Sequence, residues 1–130
     1  MAIAKTLNQS NYQYGNENTR IAIVTGGAQG MGRAVAELLA RDGVSVVIND
    51  INKSAVEKVA DELEESGLKV KPVAGDVTSS KDVDTLINET IAEFGSVNIL
   101  VNNAGFVRPT KVIDIEESEW DFVVGVNLKG

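Results

Sequence analysis

The sequence alternates short apolar runs with longer stretches in which apolar residues recur every three or four positions. The short runs are rich in β-branched residues and predict strands at 21–24, 44–48, 70–74 and 97–101. The third run contains Pro72, which has no amide hydrogen for the ladder and therefore favours an edge of the sheet. A polar or glycine-rich segment follows every run, so the ends of the strands are well marked.

The longer stretches predict helices, at about 33–41, 54–66, 80–94 and 116–128. Ser54 and Glu57 form a capping box at the start of the second helix. The inward faces are expected to carry Val35, Leu38 and Leu39; Val56, Val59, Ala60 and Leu63; Val83, Leu86, Ile87 and Ile91; and Trp120, Val123, Val124 and Leu128. Strands that alternate with helices of this length imply right-handed crossovers and a parallel α/β sheet.

A glycine-rich turn, Thr25 to Gly32, joins the first strand to the first helix. Glycine lets the backbone approach a phosphate closely, and the helix aims its unpaired amides and positive dipole end at the same point. Arg33 and Ala34 stand where a nucleoside triphosphatase loop needs lysine and serine or threonine, which excludes a triphosphate site. A dinucleotide bridged by a pyrophosphate remains, with a loop that binds no ligand as the alternative.

Polar clusters follow the other predicted strands as well. Asp50 ends the second strand, Asp76 follows the third, and Asn102-Asn103-Ala104-Gly105 follows the fourth. Ligands of open parallel sheets bind beyond the carboxyl ends of the strands, so these clusters are expected to meet the glycine turn at one site. This convergence makes a loop without a ligand the weaker interpretation.

Asp50 lies about 20 residues beyond the glycine turn, where a dinucleotide-binding sheet places the carboxylate that binds the adenosine ribose. A carboxylate at this position repels a 2′-phosphate, so NAD is favoured over NADP. The alternative is that Asp50 caps the helix near Ser54, although that helix has its own capping box. Asp76 and Val77 could offer a carboxylate and an amide to adenine, or they could simply open the next helix.

Composition narrows the partners and the chemistry. The 130 residues suit one domain, and 12 basic against 19 acidic residues give a net charge of −7, which argues against nucleic acid or an anionic membrane. The chain has no cysteine and no histidine, so the usual zinc ligands are missing and no metal site is expected. No apolar run approaches the length of about 20 residues that spans a membrane, and no secretory signal is recognisable. A cytoplasmic protein is therefore expected.

The motifs, in this order and spacing, resemble those of the classical short-chain dehydrogenases/reductases. They are the glycine turn, Asp50, Asp76-Val77, Asn102-Asn103-Ala104-Gly105 and Val126-Asn127-Leu128-Lys129-Gly130. The resemblance covers about residues 20–130 and implies a Rossmann-type doubly wound sheet, of which this chain supplies the strand order 3-2-1-4. It also implies hydride transfer between a nicotinamide cofactor and a secondary alcohol or ketone.

The resemblance also assigns residues to the site. By it the cofactor contacts Gly26, Gln29, Gly30, Met31, Gly32, Asp50, Ile51, Asp76, Val77, Asn103, Ala104 and Gly105. The glycines hold the pyrophosphate, Asp50 the adenosine ribose, and Asp76 with Val77 the adenine. Asn127 is a polar residue on an otherwise apolar helix face, and it is similar to the family's active-site asparagine, which supports a proton relay through water. The residues alone leave a purely structural role for Asn127 open.

One departure from the family pattern concerns the catalytic base. In the family a serine and a Tyr-x-x-x-Lys motif follow the asparagine helix, and no Tyr-x-x-x-Lys occurs in these 130 residues. Over 20–130 we therefore expect a Rossmann domain that stops before the catalytic segment. The alternative is a catalytically inactive dinucleotide-binding fragment or partner subunit. Residues 1–19 are polar and show no sustained period, so they are expected to form a flexible extension or a strap over the surface. Because strand four would be an exposed edge, a homo-oligomer or a complementary chain is expected.

Overall fold

The computed structural model describes residues 20–130, so the predicted extension over residues 1–19 lies outside the described part of the chain. The elements are β1 (Ile21–Thr25), α1 (Gly30–Arg41), β2 (Ser45–Asp50), α2 (Lys53–Glu65), β3 (Val70–Ala74), α3 (Ser80–Phe94), β4 (Ile99–Val101) and α4 (Glu117–Val124). A 3₁₀ turn, Val112–Asp114, precedes α4, and a π-helical turn, Gly125–Lys129, continues it. The predicted alternation of strands and helices is confirmed.

The four strands form one parallel sheet in the order β3-β2-β1-β4, as predicted. In register, Val24 of β1 lies between Ile48 of β2 and Val101 of β4. β3, which contains Pro72, is an edge strand, so the prediction made from that proline is confirmed. The opposite edge is β4, which is shorter than the predicted strand at 97–101.

Helices cover both faces of the sheet because β1 and β2 are apolar on both sides. Alternate residues of a strand point to opposite faces, so the neighbours Ile23 and Val24 belong to two different core clusters. The cluster with Val24 packs against α1 and α2, whereas Ile23 packs with Val47, Val73 and Leu86 of α3. The structure is therefore the doubly wound α/β arrangement that the sequence predicts.

The first helix, α1, packs Val35 and Leu39 against the core, as predicted, but differs from its prediction in its start and at Leu38. It begins earlier than predicted, at Gly30, and its buried residues are Gly32, Ala36 and Ala40. Leu38, predicted to face the core, is 64% exposed. The small residues let α1 lie close to the sheet, and this close approach turns the larger leucine outward.

The second helix, α2, begins with a different cap from the predicted one. Asn52 is the N-cap, and its Oδ1 accepts a hydrogen bond from Ala55 N at 3.1 Å. Ser54 instead donates its hydroxyl to Asn52 Oδ1 at 3.0 Å, while Glu57 lies 3.8 Å from Lys53. The predicted capping box is therefore wrong, because the helix starts at Lys53 and Ser54 already lies within it. The predicted buried face is confirmed at Val56, Val59, Ala60 and Leu63.

The third helix, α3, buries less apolar surface than its pattern predicts. Leu86 is buried, as expected, but its buried neighbour on the helix is Thr90, whose hydroxyl donates to Leu86 O at 2.7 Å. Ile91, predicted to face inward, is exposed. A threonine can occupy this buried face because its hydroxyl is satisfied by a carbonyl of its own helix.

The last predicted helix, over 116–128, is divided in the structure between α4 and the π-helical turn. Trp120 and Leu128, expected on its buried face, are exposed. α4 packs on the loop that follows β4, where Phe122 contacts Phe106, rather than across the sheet. The predicted helical segment is therefore present, with a π-helical last turn, but the prediction that Trp120 and Leu128 lie on its buried face is wrong. Within residues 20–130 no helix has both the length and the apolar composition that a membrane crossing requires.

Candidate functional site

A cavity of about 380 Å³ lies beyond the carboxyl ends of the strands, where a parallel sheet is expected to bind its ligand. It is lined by Gly26, Gln29, Met31, Gly32, Asn49, Asp50, Ile51, Gly75, Asp76, Val77, Asn103, Ala104, Gly105, Phe106, Phe122 and Val126. Every residue that was expected to contact the cofactor is among them except Gly30. Asn127 is not part of the wall either. Residues from five separate segments of the chain thus converge on one cavity.

The glycine turn forms one wall of this cavity. Gly26 and Gly30 have left-handed φ angles of 62° and 54°, which residues with a side chain rarely adopt. A Cβ on Gly32 would overlap Gly26 O and Asn103 Nδ2. Gln29, the N-cap of α1, makes no side-chain capping bond, so the first amides of the helix are available to an anionic ligand.

The loop after β4 is tied to the glycine turn by hydrogen bonds. The Thr25 hydroxyl accepts from Asn103 N at 3.1 Å and from Ala104 N at 3.0 Å. The Asn103 side chain donates through Nδ2 to Thr25 O at 2.9 Å and to Gly26 O at 3.0 Å. The small residues of this loop thus bring its backbone to the cavity, and Asn103 holds the two walls together.

Asp50 lies at the end of β2, half-buried in the wall. Its Oδ2 accepts a hydrogen bond from Ala28 N of the glycine turn at 3.1 Å, and its Oδ1 accepts from Asn52 N at 3.0 Å. Each oxygen keeps a second lone pair that a ligand hydroxyl could use. Because Asn52 caps α2, the alternative role of Asp50 as the cap of that helix is not supported.

Asp76 and Val77 form the wall after β3. Asp76 Oδ1 accepts from Thr78 N and from the Thr78 hydroxyl, both at 2.8 Å, and Asp76 N donates to Asp82 Oδ2 at 3.0 Å. The carboxylate therefore does stabilise the turn before α3, which Ser79 caps. Within residues 20–130, Val77 N donates no hydrogen bond, so this amide and the second oxygen of Asp76 are available to a ligand.

Asn127 lies outside the cavity and binds the backbone of Phe106, which is one of the lining residues. Its Oδ1 accepts from Phe106 N at 3.0 Å, and its Nδ2 donates to Phe106 O at 2.6 Å and to Val123 O at 2.9 Å. A Cβ on Gly105 would lie 2.9 Å from Asn127 Oδ1. Asn127 is exposed rather than buried among apolar residues, and its amide fixes the backbone of the loop that lines the cavity.

The charged residues in the wall are carboxylates, Asp50 and Asp76. The nearest cations of the neighbouring helices are paired elsewhere. Arg33 Nη2 lies 2.7 Å from a glutamate of α2, and Lys53 Nζ lies 3.8 Å from a glutamate of its own helix. The wall formed by the described residues therefore offers hydrogen-bond acceptors and backbone amides, but no basic side chain.

Sequence reasoning missed several residues of the wall. Asn49 is buried at the end of β2, and Phe106 and Phe122 contact each other edge to face with centroids 5.0 Å apart. A polar residue at the end of an otherwise apolar strand could have singled out Asn49. The pairing of the two aromatic rings has no signal in the sequence, because it depends on how the loop after β4 folds onto α4.

A second cavity, of about 360 Å³, lies between that loop and α4. Two of its charged residues contact each other: Arg108 lies 3.8 Å from the carboxylate of Glu119, which also accepts from the Thr110 hydroxyl at 2.6 Å. The Arg108 guanidinium also lies 5.6 Å from the centre of the Phe106 ring. These contacts hold the loop in place, and the strand ends remain the candidate site.

The doubly wound sheet, the glycine turn and the cavity at the strand ends define a nucleotide-binding protein of the Rossmann type. The chain belongs to the short chain dehydrogenase family, whose model matches residues 20–130. It is 40% identical over 111 residues to the (2S)-[(R)-hydroxy(phenyl)methyl]succinyl-CoA dehydrogenase subunit BbsD of Thauera aromatica. The matched region covers 85% of this chain and 45% of that protein. The resemblance to short-chain dehydrogenases is confirmed.

Solved structures agree with this assignment. A short chain dehydrogenase from Mycobacterium smegmatis matches with a TM-score of 0.83 and 37% identity, over 86% of this chain and 48% of that chain. A second match is the 3-ketoacyl-(acyl-carrier-protein) reductase from Brucella melitensis, complexed with NADH, with a TM-score of 0.79 and 37% identity. This match covers 85% of this chain and 44% of the reductase chain. The chain thus spans about half the length of the relatives that it matches.

Proposed function

We propose that this chain forms the cofactor-binding part of an NAD-dependent oxidoreductase that acts on a secondary alcohol or ketone. Membership of the short chain dehydrogenase family supports the reaction class. The observation that carries the proposal is the position of Asp50, whose carboxylate lies in the cavity wall beside the glycine turn, 3.1 Å from Ala28 N. A carboxylate can accept hydrogen bonds from a ribose, and the backbone amides of a turn at a helix N-terminus can bind a pyrophosphate.

In the proposed complex the cofactor lies across the strand ends. The amides of the glycine turn would bind the pyrophosphate, and Asp50 would accept hydrogen bonds from the adenosine ribose. Asp76 and Val77 N would face the edge of the adenine, next to the exposed side chain of Ile51. The nicotinamide would lie toward Asn103, Ala104 and Gly105, on the side of the cavity formed by the loop after β4.

The choice of NAD over NADP follows from the charges around Asp50. A 2′-phosphate would lie beside a carboxylate, and the wall offers it no basic side chain. The Brucella reductase is described as complexed with NADH, which is consistent with this choice. An unmatched pair of anionic groups is expected to disfavour NADP by about 1–3 kcal/mol, which is roughly fivefold to 150-fold in affinity.

The proposed reaction also needs a base. A bound NAD would supply the acceptor for the hydride that leaves the carbinol carbon, and the hydroxyl proton would have to pass to a group within hydrogen-bond reach. The amide of Asn127 does not titrate, and Asp50 and Asp76 would lie at the adenosine end of the cofactor. We assign to Asn127 the positioning of the Phe106 backbone, while the family resemblance gives the proton transfer to a Tyr-x-x-x-Lys motif that is absent from these 130 residues.

The proposed cofactor preference can be tested by calorimetric titration of the chain with NAD and NADP. The unmutated chain is expected to bind NAD more tightly than NADP by at least about fivefold. Exchanging Asp50→Ala together with Ile51→Arg removes the repulsion and supplies a cation, so the preference should reverse toward NADP. Asp61→Ala removes an exposed carboxylate of α2 outside the cavity and should leave the preference unchanged. Equal binding of NAD and NADP by the unmutated chain would contradict the proposal.

A second candidate function is dinucleotide binding without turnover, in a fragment or a partner subunit. The observation that favours it is that the sequence's two tyrosines, Tyr12 and Tyr14, are followed four positions later by Asn16 and Asn18 rather than by lysine. The 130-residue chain is expected to bind NAD but to form no NADH from diols or secondary alcohols. A longer chain that carries a Tyr-x-x-x-Lys segment should be active if the first function holds. Turnover by the 130-residue chain above a heat-inactivated control would show that its own residues supply the base.

A further inference from the structure

Asn49 is a buried amide at the end of β2, and it joins three segments of the chain. Its side chain is 2% exposed, and Nδ2 donates to Val73 O at 3.0 Å and to Gly75 O at 3.1 Å. Its backbone carbonyl accepts from Gly27 N of the glycine turn at 2.9 Å. One residue therefore connects the glycine turn, β3 and the turn after β3.

The oxygen of the same amide has no partner. Asn49 Oδ1 is buried and accepts no hydrogen bond from any residue within 20–130. Both acceptors beside Nδ2 are carbonyls, so the amide orientation is fixed and Oδ1 cannot take the place of Nδ2. An unsatisfied buried acceptor destabilises the fold, whereas an apolar side chain such as those of the preceding residues of β2 would not. What Asn49 provides, and an apolar residue at this position would not, is the pair of hydrogen bonds that its Nδ2 donates to Val73 O and Gly75 O.

Those two bonds act on the turn that carries Asp76 and Val77. Gly75 is held on both sides by the end of β2: its amide donates to Asp50 O at 3.0 Å, and its carbonyl accepts from Asn49 Nδ2. A Cβ on Gly75 would lie 3.2 Å from Asp82 Cβ, so the turn is also closely packed from the side of α3. The Asn49 side chain is thus one of the contacts that hold the Asp76-Val77 turn beside the end of β2.

We propose that Asn49 is a positioning residue for adenine recognition, which rests on the proposed function of the cavity as an NAD site. Asn49 lines the cavity, but its Nδ2 donates to Val73 O and Gly75 O, so the role proposed for it is to position the turn rather than to bind the cofactor. It holds the Gly75 carbonyl, so that Val77 N and the free oxygen of Asp76 face the edge of an adenine whose ribose is bound to Asp50. Without the amide, the turn keeps its backbone bond to Asp50 O but loses the bond at the Gly75 carbonyl, so the orientation of Val77 N and Asp76 is less fixed and the base is distinguished less well from its analogues.

Nicotinamide hypoxanthine dinucleotide, the deaminated form of NAD, probes this recognition directly. Hypoxanthine carries a carbonyl where adenine carries an amino group, and its N1 carries a hydrogen. The carbonyl would oppose the Asp76 carboxylate, and the N1 hydrogen would oppose Val77 N–H. The unmutated chain is therefore expected to bind NAD about tenfold more tightly than the deaminated form.

The test is the ratio of the two affinities, measured by calorimetry for the unmutated chain and for Asn49→Ala. The ratio is expected to fall from about tenfold to about twofold or less in the variant. A residue that only stabilises the sheet would weaken both ligands equally and leave the ratio unchanged, which would overturn the proposal. Thr90→Val is the matched control, because it removes another buried hydrogen bond, inside α3 and away from the cavity, and should preserve the ratio.

Two further measurements keep the result decisive. Asn49→Ser retains one donor in a smaller side chain and should give a ratio between those of the unmutated chain and Asn49→Ala. The second measurement uses the unmutated chain and does not depend on the folding of the variants. Hydrogen exchange of the Asn49 side-chain NH₂ group should be slower with saturating NAD than with the saturating deaminated dinucleotide. Equal exchange rates would overturn the proposal. An unmutated chain that binds both dinucleotides equally would overturn this inference alone, and one that binds neither would overturn the proposed function as well.

Discussion

Gly32 illustrates how far single residues of the site could be predicted. The spacing of the glycines in the sequence identified the turn, and the structure puts Gly32 against Gly26 O and Asn103 Nδ2. The bond from Asn103 to Gly26 could not be predicted, because it joins residues that are 77 positions apart and depends on the docking of β4. Residue types and spacing therefore located the wall, whereas the hydrogen-bond partners of Asp50 and Asn127 required the structure.

Replacing Gly32 by alanine is expected to lower the free energy of unfolding by about 1–3 kcal/mol, because the added methyl group overlaps a backbone carbonyl that cannot move aside. The same change should weaken NAD binding, since the turn must open. Gly125→Ala is the control: its φ of −55° is helical and its Cβ would meet no atom within 4 Å. It should stabilise the chain by up to about 1 kcal/mol. Urea denaturation measures both, and equal stabilities would contradict the packing at Gly32.

At the scale of elements, the strands were predicted better than the helices. The runs in β1 and β2 are apolar on both sides because helices cover both faces, and such runs are unambiguous in the sequence. In α1 the prediction was confirmed at Val35 and Leu39, which pack against the core, but it was wrong at Leu38, because the residues that are fully buried against the sheet are the small Ala36 and Ala40. The start of α2 was misplaced because Asn52 and Ser54 are both good caps and only the path of the chain decides between them.

The cap of α2 gives a direct test at this scale. Asn52→Ala removes the side-chain oxygen that accepts from Ala55 N and should lower the free energy of unfolding by about 1 kcal/mol. Ser54→Ala removes an exposed hydroxyl inside the helix and should change it by less than about 0.5 kcal/mol. Thermal unfolding followed by circular dichroism measures both changes. A larger loss for Ser54→Ala would restore the capping box as the start of the helix.

For the whole molecule, the exposed apolar side chains are concentrated in the last part of the chain. They include Leu100, Phe106, Val107, Val112, Ile113, Trp120, Phe122 and Leu128. β4 is in addition an edge strand with unpaired backbone groups on its outer side. The sequence predicted this edge from the strand order, but it placed Trp120 in the core, because it could not reveal that α4 would pack beside the sheet rather than on it.

We expect the 130-residue chain to self-associate through this apolar surface. Trp120→Glu should weaken the association, because it introduces a charge where an apolar ring is 62% exposed. Leu38→Glu, at a residue that is 64% exposed on α1, should leave it unchanged. Sedimentation velocity over a range of concentrations measures the association. An unmutated chain that remains a monomer throughout would contradict this expectation.

The position of β1 between β2 and β4 has a consequence for how the chain folds. Parallel neighbours cannot be joined by a tight hairpin, so every strand pair must close a long loop, and Ile21 N binds Asn98 Oδ1 across 77 positions. The entropy of closing such loops must be overcome before the contacts compensate for it, which makes folding slow. The cavity is complete only when all strand ends have met. A ligand that binds there is therefore expected to slow unfolding of the whole sheet, without speeding the search by which the strands find one another.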